Sequence, residues 1–230
     1  SADSISIFGG IVVVNRPVSL ELAEKLHEIF LEIVIAPAYD EEAFELLAEK
    51  KNIRLLEMNF DEKEQSYEKE YRTVIGGLLE QTPDRSSELP EKTDESLPTD
   101  WELMTEKEPS AEQIKAFNFG MKVCKFIKSN AILINNSYMT LGIGAGQMNR
   151  VGAAEIALKQ ASAREDFNPS EAVMSSDAFF PMPDTVELSH KFRVDAVIHP
   201  GGSLRDKDSV EYCDENQMTM VKTGIRHFRH

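Results

Sequence analysis

From Ser110 onward the sequence alternates amphipathic helical stripes with short apolar runs, which restricts the chain to an α/β arrangement with helices laid on a sheet. Ser110 and Gln113 stand in capping-box spacing, and Ile114, Phe117, Met121 and Cys124 continue as one apolar stripe toward Ile127. Apolar runs at residues 131–134 and 139–143, joined by the polar turn Asn135-Asn136-Ser137-Tyr138, read as a hairpin. Further along, helices are expected over 151–161, 184–191 and 206–213, and strands over 172–175, 196–199 and 218–222. Asp184 and Glu187 have the spacing of a second capping box.

Upstream, Leu22, Leu26, Ile29, Phe30 and Ile33 form the stripe of a helix starting near Ser19, followed by a short buried strand at 33–36. Asp40 with Glu41 and Glu42 opens a helix reaching about Lys51, and a strand at 53–58 closes this unit. Residues 57–112 are different material, with 17 acidic and 6 basic residues that carry −11 of the chain's −15. With Pro83, Pro90, Pro98 and Pro109 in the same stretch, it reads as a solvated acidic connector with one inserted strand at 72–79. The organisation expected is therefore a partial first subdomain at 1–56, the connector at 57–112 and a second subdomain at 113–230.

A net charge of −15 argues against a nucleic-acid partner or an anionic membrane surface. No run approaches the roughly 18 to 20 apolar residues of a membrane span, and residues 1–8 lack a signal peptide's basic start, so a cytoplasmic location is expected. Cys124 and Cys213 sit in no metal-ligand or disulfide spacing, and no metal is expected from them.

Three strand-end loops could carry chemistry. Gly142, Gly144 and Gly146 alternate into a helix, which suits either a tight structural turn or a loop whose N–H groups meet an anion. Arg150 adds a guanidinium matched to phosphate or carboxylate. Phe179 and Phe180, with Pro181 and Pro183, make either an apolar wall for a planar ring or core packing under a loop. His199-Pro200-Gly201-Gly202-Ser203 leaves the same choice between turn and site, and three such loops on one strand edge favour a pocket. Arg226, His227, Arg229 and His230 concentrate positive charge in an acidic chain, as a disordered tail or as an anion contact. His27 and His190 read as surface residues.

Taken together, these motifs resemble the transformylase part, C-terminal, of the bifunctional AICAR transformylase/IMP cyclohydrolase family of purine biosynthesis. The resemblance rests on D-S-I-S-I-F-G-G-I-V at 3–12, I-A-P at 35–37, D-R-S-S-E at 84–88, K-S-N-A at 128–131, G-I-G-A-G-Q-M-N-R-V at 142–151, S-D-A-F-F-P at 176–181, H-P-G-G-S at 199–203 and R-H-F-R-H at 226–230. It covers nearly the whole chain.

The resemblance implies formyl transfer from the co-substrate 10-formyltetrahydrofolate to the exocyclic amine of AICAR. It implies two cytidine-deaminase-like three-layer units joined by the acidic connector, the first incomplete, and an active site shared across a homodimer. It places the nucleotide against Gly9, Glu32, Asn130, Arg150, Phe179, Arg226 and Phe228, with Asn130 as the residue nearest the chemistry. It places folate against Phe8, Val151, Met182, Asp184 and Ser203, and allows a monovalent cation near Ser129. The zinc ligands of true deaminases, H-x-E and P-C-x-x-C, are missing from the sequence. The family's Lys-His pair lies in a K-H-x-x-P-x-G stretch ahead of F-G-G, and only seven residues precede Phe8, so the chain reads as a truncated, catalytically impaired piece of a longer protein. Two other readings are a non-catalytic nucleotide-binding or dimerisation module, and an enzyme that receives its Lys and His from another polypeptide.

Overall fold

A computed structural model describes residues 7–60, 69–84 and 96–229, and the chain divides into two units, one up to Pro83 and one from Asp84 onward. Residues 3–6, 85–88 and His230, which belong to three of the motifs above, lie outside the described residues, as does most of the proline-rich run at 86–98.

In the first unit, β1 (Gly10–Val13), β2 (Leu31–Ala36) and β3 (Arg54–Glu57) form a parallel sheet in the order β1-β2-β3. Helices α1 (Leu20–His27) and α2 (Glu41–Ala48) bury Ala23, Leu26, Ala43 and Leu47 against Leu31, Val34 and Ala36. Ser19 caps α1 by accepting from Leu22 N–H, as its residue type predicts. The helix stops at His27, short of the expected stripe, because residues 31–36 pair on both sides with β1 and β3 and so leave the helix. Asp40 occupies the N-cap of α2 without a side-chain cap bond. Val12, Val34 and Leu55 belong to the core, whereas their neighbours Ile11, Val13 and Leu56 on the opposite face are exposed.

The single strand expected at 72–79 is corrected to an antiparallel hairpin of β4 (Glu70–Val74) and β5 (Gly77–Gln81). The reason is the two-residue turn Ile75-Gly76, where Gly76 takes φ +86°, a conformation that glycine adopts without a side-chain penalty.

The second unit is built on a six-stranded mixed sheet in the order β6-β11-β10-β9-β7-β8, comprising β6 (Glu102–Leu103), β7 (Ile132–Asn135), β8 (Thr140–Gly144), β9 (Val173–Ser176), β10 (Ala196–His199) and β11 (Thr219–Lys222). Strands β9, β10 and β11 are parallel, and β7 runs antiparallel to both β8 and β9. Helix α3 (Ala111–Cys124) covers one face, where Ala116, Phe117 and Met121 meet Val173, Ile198 and Val221. Helices α4 (Arg150–Ser162), α5 (Asp184–Lys191) and α6 (Asp206–Glu215) lie on the other face, where Ala153, Ala157, Val186 and Cys213 meet Met174, Val197 and Met220. Adjacent residues such as Val173 and Met174 thus serve opposite layers, the period-two signature of a sheet buried on both faces. The chain is mixed α/β, and this unit has three layers.

The capping box of α3 is present in both directions between Ser110 and Gln113. The second expected box is not formed. Pro183 is the N-cap of α5 and offers no side-chain bond, so Asp184 falls inside the first turn and accepts instead from the N–H and hydroxyl of Thr185. The later part of residues 57–112 packs with the second unit, since β6 pairs with β11 and Trp101 lies in the core beneath α3.

Candidate functional site

The topology of the second unit collects the sequence-predicted loops. Parallel strands β9, β10 and β11 end at Ser176, His199 and Lys222, and the antiparallel β7 begins at the same sheet edge just after Asn130. Strand β8, antiparallel to β7, ends there too and leads through residues 145–149 into α4 and Arg150. This edge is where α/β sheets place ligands, because the chain leaves each strand there with free backbone groups.

Gly142 and Gly144 sit within β8, and a Cβ at either would overlap the backbone of α4, at Ala157 and Ala153 respectively. Their first role is therefore close helix-on-strand packing. That packing brings the start of α4, capped by Asn149 through Gly152 N–H, against the strand edge. Arg150 in its first turn is thereby aimed inward.

Arg150 is the hub. Its Nη2 donates to Asn130 Oδ1 at 3.0 Å, its Nη1 donates to the Phe179 carbonyl at 2.9 Å, and Nη2 lies 3.7 Å from Asp177 Oδ1. Burial holds the Arg150 pKa below the ordinary guanidinium range, and the charge of Asp177 opposes that shift. Asn130 is held in turn by donation from Nδ2 to the Gln147 carbonyl at 2.9 Å. Arg226 lies 4.6 Å above the ring of half-buried Phe179, a cation–π contact. The two phenylalanines divide the roles that the sequence left open. Phe179 faces the edge under Arg226, and Phe180 is fully buried against His199, with ring centroids 4.7 Å apart and planes 10° from parallel.

Residues 223–229 are held against the second unit by specific bonds. His227 N–H donates to the Asp177 carbonyl, Ser129 N–H donates to the Arg229 carbonyl at 2.9 Å, and Arg229 N–H returns a bond to Ser129 Oγ at 2.9 Å. Phe228 is exposed beside them.

Four of the residues expected at folate follow the strand-edge loops of the second unit. Val151 follows Arg150 in α4 and is half-buried, Met182 is exposed, and Asp184 opens α5. Ser203 Oγ accepts from Arg205 N–H, and its own N–H donates to Asp206. Phe8, Gly9 and Glu32 form a small group of their own in the first unit. Gly9 N–H donates to the Phe30 carbonyl at 2.8 Å, exposed Phe8 packs on Phe30 at 4.8 Å, and Glu32 lies beside Gly9.

Asp177, inside the S-D-A-F-F-P motif, is a site residue that the sequence pattern did not single out. Its carboxylate is fully buried, and neither oxygen has a hydrogen-bond partner among the described residues, nor do Arg150 Nε and His199 Nε2. An acid directly after a buried strand was the available signal. His199 was quoted only as part of a loop. Burial, reinforced by the positive charges of Arg150 and Lys222, pushes its pKa down to about 3. Among the described residues, no three His, Cys, Asp or Glu side chains form a metal-binding group, and no helix is long and apolar enough to cross a membrane.

These features define an α/β domain that gathers two arginines, an asparagine and an aromatic ring at one strand edge. Residues 1–160 match the family model of the AICARFT/IMPCHase bienzyme, and the chain belongs to that family. Over its full length it is 49% identical to the bifunctional purine biosynthesis protein PurH of Lacticaseibacillus casei (strain BL23), of which it covers 43%. It is 52% identical to the protein of the same name from Staphylococcus carnosus (strain TM300), covering 44% of it, and 48% identical to that of Lactobacillus acidophilus (strain ATCC 700396 / NCK56 / N2 / NCFM), covering 42%. The chain thus spans less than half the length of these curated relatives.

Proposed function

We propose that the strand edge of the second unit binds the nucleotide AICAR and serves folate-dependent formyl transfer, one of the two activities named in the family's description. The observation that carries this reading is the linked set Asn130, Arg150, Phe179 and Arg226. It offers one amide, two guanidinium forks and one aromatic face within a single hydrogen-bonded and cation–π network.

Each group suits one part of such a ligand. Arg226 presents planar N–H donors to a phosphate or carboxamide while its own position is fixed on Phe179. Phe179 and Phe228 supply ring faces for the imidazole. Among the described residues the Asn130 side chain donates once and accepts once, which leaves an amide hydrogen and a carbonyl lone pair to orient the exocyclic amine as it attacks. That amine is a poor nucleophile and must lose a proton while an oxyanion develops, so fixed donors beside it are the protein's main contribution. Val151, Met182, Asp184 and Ser203 are the proposed folate contacts of the second unit. The apolar side chains would take the pterin face and Asp184 would accept from ring N–H groups. A homodimer is the proposed assembly.

A monovalent cation near Ser129 fits one feature of the site. Asp177 offers a buried carboxylate that accepts no hydrogen bond among the described residues, and its N–H donates to the Ala131 carbonyl, in the 128–131 segment. Such a cation would take up carboxylate lone pairs that Arg150, 3.7 Å away, does not bond.

No K-H-x-x-P-x-G stretch occurs in these 230 residues, so the function proposed for them by themselves is nucleotide binding without turnover. Calorimetric titration with AICAR, run beside an assay of formyl transfer from 10-formyltetrahydrofolate, tests it. Saturable binding with no transfer supports the proposal. Absence of binding would favour a module in which the loops are structural, and turnover would show that another residue supplies the acid/base.

A further inference from the structure

Of the exposed β4–β5 hairpin, the ion pair of His190 in α5 with Asp195 and the contact between His227 and Asp84, only the last is tied by geometry to the site.

His227 is 1% exposed, between the exposed residues Arg226 and Phe228. Its Nδ1 lies 2.8 Å from Asp84 Oδ2, across 143 positions of sequence, and its N–H donates to the Asp177 carbonyl at 3.1 Å. An imidazole buried this fully is held by its partner, because leaving the donor unpaired would cost a desolvated hydrogen bond. Two residues further on, Arg229 is tied in both directions to Ser129, the neighbour of Asn130. The 226–229 segment is therefore pinned at two points, and those pins, with the ring itself, hold Arg226 over Phe179.

We infer that His227 is a positioning residue. Paired with Asp84, it fixes the 226–229 segment so that Arg226 stands over Phe179 in the geometry that the nucleotide requires. The inference rests on the AICAR-binding reading above, and it assigns to Asp84 a role as the anchor for His227. Two consequences separate it from a generic packing role. Removal of either partner should act through the same event, so the two losses should not add. Retention of only the N–H donor should suffice, because Asn places an amide nitrogen close to where His places Nδ1.

The experiment uses the 230-residue chain with His227→Ala, His227→Asn, Asp84→Ala and the His227→Ala/Asp84→Ala double variant. Each is titrated with AICAR, and backbone hydrogen exchange is followed at Arg229. The expected result is an approximately tenfold or greater rise in Kd for either alanine variant, a double variant no weaker than the worse single one, and His227→Asn within about threefold of the parent. Exchange at Arg229 should accelerate in the alanine variants and stay slow in His227→Asn. Unchanged exchange at Arg229 in both alanine variants, or additive losses in the double variant, would overturn the inference. If the parent chain does not bind AICAR at all, the functional reading fails, and exchange at Arg229 still decides whether the pin exists.

Discussion

Arg150 Nη2 and Asp177 Oδ1 lie 3.7 Å apart, a buried ion pair too long for a hydrogen bond, with the carboxylate fully shielded from solvent. A pair of this kind contributes little net stability, yet breaking it strands a charge in low dielectric. Arg150→Met should therefore destabilise the second unit by about 3–5 kcal/mol, and the Arg150→Met/Asp177→Asn double variant should recover a large part of that loss. Urea unfolding of the parent and the two variants measures both. If the double variant is as unstable as the single one, Asp177 is not the group that Arg150 neutralises.

Arg226 is exposed, and its contact with Phe179 is worth about 0.5–1 kcal/mol in the free protein. Arg226→Ala should leave the unfolding midpoint nearly unchanged and should weaken AICAR binding by about tenfold or more, since a charge-assisted contact to the ligand is lost as well. Matched melting curves and titrations separate the two effects.

His199 gives the second unit a defined acid sensitivity. It is neutral in the fold, with a pKa pushed down to about 3, and takes a proton near its ordinary value once the chain unfolds. The unfolded state therefore binds the extra proton, and stability is lost as pH falls below about 6.5 toward 3, by about 2 kcal/mol between pH 7 and 5. His199→Asn keeps an acceptor for Gly201 N–H and removes the titration. Its unfolding free energy should fall less steeply over that range than the parent's, and parallel slopes would refute the assignment.

Gly144 should tolerate no side chain. A Cβ there would overlap the Ala153 carbonyl, so Gly144→Ala must push α4 away from β8 and should cost about 3 kcal/mol or more. Gly77→Ala in the exposed hairpin meets open space and should change stability by less than about 0.5 kcal/mol. Denaturant midpoints of the two variants decide whether the glycine run is first a packing device.

What could be read from the sequence followed from how local each signal was. The Ser110–Gln113 box involves residues three apart and formed as its pattern required. The end of α1 was not legible, because β2 is claimed by two neighbouring strands that lie elsewhere in the sequence. The Gly76-Gly77 pair did carry a turn signal, but an acidic, proline-rich context obscured it. Phe179 and Phe180 were indistinguishable as types, and only the direction of the chain beyond β9 sends one under Arg226 and the other onto His199. Asp177, His199 and the His227–Asp84 pair were missed for a common reason. Their partners lie tens of residues or more away, and their meaning is set by burial, which composition does not report.

The central claim is that Asn130, Arg150, Phe179 and Arg226 hold the nucleotide together. The most direct measurement is a nitrogen–proton NMR titration of the isotope-labelled chain with AICAR, following the Asn130 side-chain amide, the Arg150 and Arg226 side-chain N–H signals and the Phe179 backbone amide. Saturable shifts at these groups with one common dissociation constant are the predicted result. No shift at them, or shifts confined to other residues, would contradict the account.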